Sequence, residues 1–246
     1  MSPLAWLFAI TIGVSLGLLG GGGSILTVPV FTYLLGYPPK QAIAMSLPVV
    51  GAAAAAGAVA ALRRGTLPIG PALIMGPATM VGSYAGARAA AWLDGRAQLV
   101  LLGVTMLSAA GAMWQRSRGV TPAHGSSHPH PVLVAGIGLA VGLLTGVVGI
   151  GGGFLIVPAL VIVGGLPMVQ AASASLLVIA LSAAAGLAGY LRQVSFDWHV
   201  VGLFAVAASA GVIAGGSVAR HVSGRRLQQA FAILLVLIAA YMLVKR

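Results

Sequence analysis

The sequence contains very little charge and almost no acid. Only 6% of its 246 residues are charged, against 59% that are hydrophobic, whereas a soluble domain carries about a quarter charged residues. Asp94 and Asp197 are the only acidic side chains. Cysteine is absent, which excludes disulfides, thiolate metal sites and thiol redox chemistry. Most of the surface of the folded protein is therefore expected to face a solvent other than water.

Long apolar runs predict an all-α integral membrane protein. A helix needs about 20 apolar residues to cross a bilayer, and the short alternating segments of a membrane barrel are missing. No cleaved signal peptide is expected at the N-terminus. Eight apolar blocks stand out, at residues 4–35, 41–62, 69–92, 97–114, 132–164, 170–191, 198–220 and 226–244.

The net charge of +11 does not indicate nucleic-acid binding. The lysines and arginines are scattered at the ends of the apolar blocks, where cations meet lipid headgroups. They form no continuous basic face of the kind that neutralises phosphates. The expected partners are the lipid bilayer and a small anionic substrate, not nucleic acid, and the oligomeric state is left open.

The two halves of the chain are copies of one unit. At a constant offset of 129 residues, which pairs Pro29 with Pro158, residues 13–64 and 142–193 share 21 identities in 52 positions. A composition this rich in small apolar residues would give about a tenth by chance. We therefore divide the chain into a first membrane repeat (1–114), a polar linker loop (115–131) and a second membrane repeat (132–246).

The first block of each repeat is too long for one ordinary span. About 32 residues would form a helix of roughly 48 Å, and the glycine clusters at 20–23 and 149–153 are poor helix-interior sequence. A break or re-entrant hairpin at each cluster is expected, shielded from lipid by protein. Two passes or a hairpin would make the repeats inverted, and a single pass would make them parallel; paired glycine breaks favour inversion.

The paired breaks are the candidate binding site. Glycine lets backbone approach a ligand closely, and a helix that starts after such a loop offers free N–H groups and its positive dipole end to an anion. The alternative is that the glycines only permit tight helix packing. The glycines proposed to bind are Gly20, Gly21, Gly22, Gly23, Gly149, Gly151, Gly152 and Gly153, joined by Ser24, with Pro29 and Pro158 as structural breaks.

Amides and hydroxyls near the start of the next helices add hydrogen-bond donors. The residues proposed to contact the anion are Gln41, Ser46, Gln170, Ser173 and Ser175. Helix capping or interhelical hydrogen bonding is the alternative role. Arg63 and Arg192, at the far ends of these helices, are expected to anchor in the headgroup region, or else to attract anions to a vestibule.

The sequence gives only weak support to metal binding and to enzymatic catalysis. His124, His128 and His130 in the linker could hold a divalent metal, but a polar linker is the preferred interpretation, and no metal or cofactor is predicted. No hydrolase, phosphate-loop or dinucleotide motif is present in its required context. We therefore expect the protein not to be an enzyme.

The doubled motif resembles the sulfite exporter TauE/SafE family. The residues that carry the resemblance are Gly20-Gly-Gly-Gly-Ser-Ile-Leu-Thr-Val-Pro29 with Gln41-Ala-Ile-Ala-Met-Ser-Leu47, and Gly149-Ile-Gly-Gly-Gly-Phe-Leu-Ile-Val-Pro158 with Gln170-Ala-Ala-Ser-Ala-Ser-Leu176. The resemblance spans nearly the whole chain. It implies export of sulfite, an organosulfonate or a related small anion across the cytoplasmic membrane.

The scarcity of acid constrains how such transport is driven. Proton-coupled carriers place carboxylates or histidines inside the membrane, and no carboxylate lies clearly within a span here. The membrane potential alone favours outward anion movement by about 2.3 kcal/mol per charge per 100 mV. We expect a potential-assisted uniporter working by alternating access; the alternatives are an anion channel and a metal-cation permease that uses the histidine loop.

Overall fold

The described chain is built from helices. The structure is a computed structural model that describes residues 3–117, 131–148, 153–219 and 221–244. The first apolar block of each half is two helices, and α5 continues to Ser117, into the stretch assigned to the linker. The helices are α1 (Pro3–Leu19), α2 (Gly22–Pro29), α3 (Pro39–Arg63), α4 (Ile69–Ala89), α5 (Gly95–Ser117), α6 (Pro131–Val148), α7 (Gly153–Ile162), α8 (Met168–Tyr190), α9 (Trp198–Ala219) and α10 (Gly224–Val244).

Helix length and composition agree with a protein that crosses a membrane several times. Within the described ranges, α3, α5, α8 and α9 are long and apolar enough to span a bilayer, and α1, α2, α6 and α7 are shorter apolar helices. Many large apolar side chains on the outside, such as Leu73, Val81 and Val206, are more than half exposed. Lipid is the solvent that such a surface requires.

The first glycine cluster reverses the chain. Gly20 has a φ of +71°, a conformation that costs glycine little and other residues more. After it, α2 folds back along α1, because the backbone of Gly23 packs directly against Ile12 and Leu16. A side chain at Gly23 would prevent this approach. The first block is thus a helical hairpin with its tip at Gly20 and Gly21.

Neither of the two prolines proposed as breaks reverses the chain, although α2 ends at Pro29. Pro158 lies inside α7, which continues to Ile162. Pro29 is followed by a π-helical turn at Val30–Leu34. Because proline has no N–H, it removes one hydrogen bond of the ladder, and a local π-helical turn can satisfy the backbone groups that it frees. The chain reversal in the first half therefore lies at the glycines.

One end of the helix bundle, here named the Asp197 end, joins the start of α3 to the second half. Lys40 Nζ donates a hydrogen bond to the carbonyl of Ala91, just past α4 (3.3 Å). Gln41 Nε2 donates to the carbonyl of Ser195, just before α9 (3.0 Å). The start of α3, the end of α4 and the start of α9 therefore lie together.

The opposite end, here named the Arg64 end, carries the other termini of the same helices. Arg64 follows α3, and its guanidinium lies beside Gly216 near the end of α9. Gly224, the first residue of α10, packs against Met168, the first residue of α8. Helices α8 and α10 therefore start at the Arg64 end.

Helices α3 and α8 lie side by side and run in opposite directions. Helices α3 and α8 occupy matching positions in the repeat, and they pack antiparallel at the centre of the molecule. A β-carbon on Gly51 would lie 3.1 Å from Ala183 Cβ, and one on Gly57 would lie 3.0 Å from Leu176 Cδ1. Residue numbers therefore increase along α3 as they decrease along α8, which makes the two helices antiparallel.

The first helix of each half packs on the fourth helix of the other half. Both pairs are parallel and meet at glycines spaced four residues apart, a spacing that lets helix backbones approach closely in membranes. Since α9 starts at the Asp197 end, α1 starts there too, whereas α6 follows α4 and starts at the Arg64 end. The contacts are Gly13 with Ala208 and Gly17 with Val212 for α1 and α9, and Gly82 with Leu139 and Gly86 with Leu143 for α4 and α6.

Candidate functional site

The two predicted breaks touch each other in the interior. A β-carbon on Gly153 would lie 2.6 Å from Gly21 Cα and 2.8 Å from Ile179 Cδ1, and the backbones of Gly21 and Gly153 are in direct contact. Ile179 lies at the middle of α8, so the contact lies about halfway across the bundle. The starts of α2 and α7 therefore meet at one point.

The first break is fully enclosed by protein. Residues 20–24 are buried, as is Gly153. A β-carbon on Gly20 would lie 2.5 Å from Ser175 Oγ and 2.7 Å from Ala172 Cα. Ser175 of the second repeat is therefore brought to the break of the first repeat. Gly149, Gly151 and Gly152 lie outside the described residues.

The proposed serines bond to their own helices. Each hydroxyl donates to a backbone carbonyl three or four residues earlier, a common arrangement inside helices. The donors and acceptors are Ser24 to Gly21 (2.7 Å), Ser46 to Ile43 (2.7 Å), Ser173 to Val169 (3.1 Å) and Ser175 to Ala172 (2.8 Å). To bind an anion, a hydroxyl must exchange this bond for one to the ligand.

The two glutamines lie nearer the surface than the buried contact between the breaks. Gln41 is half-buried, and its amide donates to Ser195 at the Asp197 end. Gln170 is exposed near the start of α8. Both are close to helix starts, as the sequence indicated, but Gln41 holds two halves of the protein together there.

A narrow crevice leads inward from the Arg64 end. It has a cavity volume of about 40 Å³, and its walls come from α1, α3, α8 and α9, with Arg64, Thr66 and Ser173 as polar lining residues. One water occupies about 30 Å³ of liquid, so the crevice is nearly closed. Ala172 lines it and also contacts Gly20. Ala172 therefore lies between the crevice and the first break.

The corresponding space at the other end is filled by a buried tyrosine. Tyr190 is fully buried, and its hydroxyl lies 3.3 Å from the carbonyl of Gly146 and 3.2 Å from that of Val147. Gln98 Nε2 donates to Val147 (2.7 Å) and to the Tyr190 hydroxyl (3.0 Å). Among the residues described, Gln98 Oε1 has no hydrogen-bond partner. This cluster closes the bundle just before the second break.

The repeat offset makes the difference between the two ends explicit. Tyr190 corresponds to Ala61, which lines the crevice. Arg64 corresponds to Gln193, whose amide donates to the carbonyls of Ala87 and Gly189 (both 2.8 Å). The same repeat positions thus form a crevice at the Arg64 end and a packed, hydrogen-bonded contact at the Asp197 end.

A polar contact at the surface adds to the closure of the Asp197 end. The Tyr37 hydroxyl donates to Asp197 Oδ2 (2.8 Å). The backbone N–H of Val200 and this hydroxyl stabilise the carboxylate and lower the pKa of Asp197. Burial and the neighbouring carboxylate raise the pKa of Tyr37. The repeat counterparts of Tyr37 and Asp197 are Leu166 and Pro68, which cannot form such a bond.

A larger cavity elsewhere is unsuited to an anion. It measures about 450 Å³ and lies between α4, α6 and α7, with side chains such as Ile74, Val134 and Leu160 on its walls. Its lining side chains are all apolar. It offers neither a cation nor a hydroxyl to an oxyanion, so the crevice at the Arg64 end is the better candidate.

Three residues near these features were not proposed from the sequence as binding residues. They are Arg64, Gln98 and Tyr190. Gln98 could have been found from the sequence because it is an amide inside an apolar block. Tyr190 and Arg64 could have been found because the two repeats differ at these otherwise matched positions. The histidines 124, 128 and 130 lie outside the described residues, and in the described ranges no cluster of metal-binding side chains occurs.

Comparison with known proteins assigns the family. The family described as "Sulfite exporter TauE/SafE" matches residues 5–242. A "Probable membrane transporter protein" of Xylella fastidiosa (strain 9a5c) is 32% identical over 239 residues, which covers 94% of this chain and 91% of that protein. The corresponding protein of strain Temecula1 is 30% identical over 240 residues.

A more distant relative agrees with this assignment. "Probable membrane transporter protein YdhB" of Bacillus subtilis is 25% identical over 210 residues, covering 83% of this chain and 84% of that protein. No solved structure matches the chain. The family is one of membrane transporters rather than enzymes. The helical, lipid-suited exterior and the match over almost the whole length agree, and the chain belongs to the sulfite exporter TauE/SafE family of multi-pass membrane transporters.

Proposed function

We propose that the protein exports a small sulfur-containing anion, such as sulfite or an organosulfonate, across the cytoplasmic membrane by alternating access. The family's description names sulfite, and the protein's interior offers features that suit an oxyanion. The anion is bound where the two glycine breaks meet. The two repeats are inverted with respect to each other and exchange roles as the protein opens to one side and then to the other.

One observation carries the proposal: equivalent positions of the two repeats are arranged differently at the two ends. At the Arg64 end they line a crevice, and at the Asp197 end Tyr190 and Gln193 fill the space. Corresponding helices run in opposite directions, so exchanging the two arrangements would open the Asp197 end and close the other. That exchange is the elementary step of alternating access in inverted-repeat transporters.

Backbone N–H groups supply the positive potential that the anion needs. Helix α2 starts at Gly22, and its first N–H groups have no partner within the helix. They point toward the break together with the positive end of the helix dipole. Ser175 Oγ lies close to Gly20 and can rotate to donate. In the present state Gly21 and Gly153 are in contact, so binding requires the two breaks to separate.

The absence of acidic residues from the membrane-crossing helices favours the membrane potential over a proton gradient as the driving force for transport. Asp94 and Asp197 lie in the connections before α5 and α9, outside the helices that cross the membrane. A proton relay through carboxylates in the spans is therefore missing. We propose uniport driven by the membrane potential, with the negative cytoplasm favouring anion exit.

Counterflow in proteoliposomes tests this function. Proteoliposomes that contain the purified protein and are loaded with unlabelled sulfite should transiently accumulate radiolabelled sulfite from outside. Sulfonates should compete with this uptake. An imposed potential, positive inside, should speed uptake of the anion, whereas a pH gradient alone should not. Empty liposomes serve as the control.

Three outcomes contradict parts of the proposal. If no sulfur-containing anion shows counterflow or competition, the substrate class is wrong. Flux without counterflow, at rates above those of carriers, would indicate a channel in place of alternating access. Uptake that requires a pH gradient and ignores the potential would exclude uniport.

A further inference from the structure

The crevice at the Arg64 end combines a path to the interior with one fixed positive charge. Its mouth is formed by the exposed residues Arg64 and Thr66, and its inner wall by Ser173 and Ala172. Ala172 also contacts Gly20 at the first break. The crevice therefore has a guanidinium at its mouth, and its inner wall adjoins the first break.

Among the residues that the structure describes, Arg64 is the only charged one that lines this crevice. It also lacks an acidic neighbour, because the chain's two carboxylate side chains, Asp94 and Asp197, both lie at the Asp197 end. The charge of Arg64 is therefore uncompensated by carboxylates. An uncompensated cation beside a narrow, low-dielectric passage raises the local concentration of anions.

At the Asp197 end, the repeat position of Arg64 carries no charge. Gln193 occupies the repeat position of Arg64, and its amide is used in bonds to Ala87 and Gly189. Ala44 occupies the repeat position of Ser173 and is fully buried. The repeat positions that place a cation and a hydroxyl at the crevice therefore carry a bonded amide and a buried methyl group at the Asp197 end.

We propose that the crevice at the Arg64 end is the access route of the transported anion and that Arg64 recruits the anion into it. The guanidinium selects small oxyanions over cations and neutral molecules at the mouth, and Ser173 is the next group the anion meets. This inference rests on the proposed transport of anions, but its central test does not require the substrate to be known.

The absence of cysteine from the chain makes a direct test possible. Ser173→Cys places one thiol inside the crevice, and its modification by membrane-impermeant methanethiosulfonates is followed by mass. The ethylsulfonate reagent is anionic and the ethyltrimethylammonium reagent is cationic. Adding Arg64→Gln should slow the anionic reagent by about five-fold, the effect of one unit charge at close range in water, and should leave the cationic reagent equal or faster.

Two matched controls accompany this test. Arg63→Gln removes the neighbouring arginine, which does not line the crevice, and should change the anionic rate far less than Arg64→Gln. Ala44→Cys, the repeat counterpart of Ser173→Cys, should react slowly with both reagents because it is buried at the packed end. If Ser173→Cys does not fold, Val169→Cys at the same wall replaces it.

The proposal is overturned if folded Ser173→Cys resists both reagents, or if Arg63→Gln and Arg64→Gln slow the anionic reagent equally. In transport assays, Arg64→Gln should raise the apparent KM by about five-fold with little change in maximal rate. If sulfite is not transported but the labelling is charge-selective, the substrate proposal fails while the anion route stands. If sulfite is transported but labelling ignores Arg64, only the route proposed here fails.

Discussion

At the scale of single residues, the missing side chain of Gly21 is what allows the two breaks to meet. The backbone of Gly153 occupies the place where a β-carbon would be, and backbone cannot yield as a flexible side chain can. Gly20 beside it is held at positive φ. These two glycines therefore serve different purposes, one permitting contact and the other reversing the chain.

Gly21→Ala should force the starts of α2 and α7 apart. Overpacking of this kind costs about 1–3 kcal/mol, so the melting temperature should fall, and transport should fall with it if the breaks form the site. Both are measured on purified protein, by thermal denaturation in detergent and by counterflow.

Gly111→Ala is the matched control for this prediction. Gly111 lies in α5 with open space around it, so the substitution should leave transport near the wild-type value and should not lower the melting temperature, since alanine favours helices over glycine. Equal stability of Gly21→Ala and wild type would contradict the contact between the breaks.

At the scale of helices, glycines spaced by four residues determine which helices pair. The pairs α1 with α9 and α4 with α6 each have such glycines on both helices. In lipid, apolar side chains gain little by leaving their solvent, so close backbone packing contributes much of the attraction. The spacing explains why the first helix of one half packs on the fourth helix of the other half.

Gly215→Ala should destabilise the protein, whereas Gly202→Ala on the same helix should not. The backbone of Gly215 packs directly on that of Val14, but Gly202 faces open space. We expect a loss of about 1–3 kcal/mol at position 215 from overpacking, and at position 202 a small gain, since alanine favours helices over glycine by about 1 kcal/mol.

Thermal denaturation of the two variants in one detergent measures the difference. A β-carbon that is tolerated equally at both positions would show that α1 and α9 are not in close contact.

At the scale of the whole molecule, the protein has two ends that are related by sequence but differ in structure. Tyr190 and Gln193, with Gln98 bonded to Tyr190, close one end, whereas the repeat counterparts Ala61 and Arg64 line the crevice at the other. The bond between Tyr37 and Asp197 adds a surface contact to the closed end. The resting arrangement of the protein should therefore depend on these few polar groups.

The contribution of Asp197 should depend on pH in one direction. Its pKa is lowered in the folded protein, so its stabilising effect is complete above the usual pKa of aspartate, about 3.9, and is lost as the pH falls through the lowered folded value. Asp197→Asn should thus reduce the melting temperature at neutral pH, and the difference from wild type should shrink in acid below about pH 4.

Tyr37→Phe provides the check on this prediction. It removes one of the hydrogen bonds that lower the pKa of Asp197, so the loss of stability in acid should be smaller than in wild type and should be complete at a higher pH. A difference between wild type and Asp197→Asn that is constant from pH 7 to pH 3 would contradict the linkage.

The sequence by itself determined that the protein is surrounded by lipid, that its two halves are copies of one unit and where the first chain reversal lies. Each depends on local chemistry: apolar length for the spans, a constant offset for the repeat, and glycine conformation for the reversal. The tertiary structure decided which residues meet. That Gly21 touches Gly153 depends on helices far apart in sequence, as does the different filling of the two ends. A helix forms whether the matched repeat position carries tyrosine, as at Tyr190, or alanine, as at Ala61. The effect of this difference on the filling of the two ends is therefore visible only once both repeats are packed.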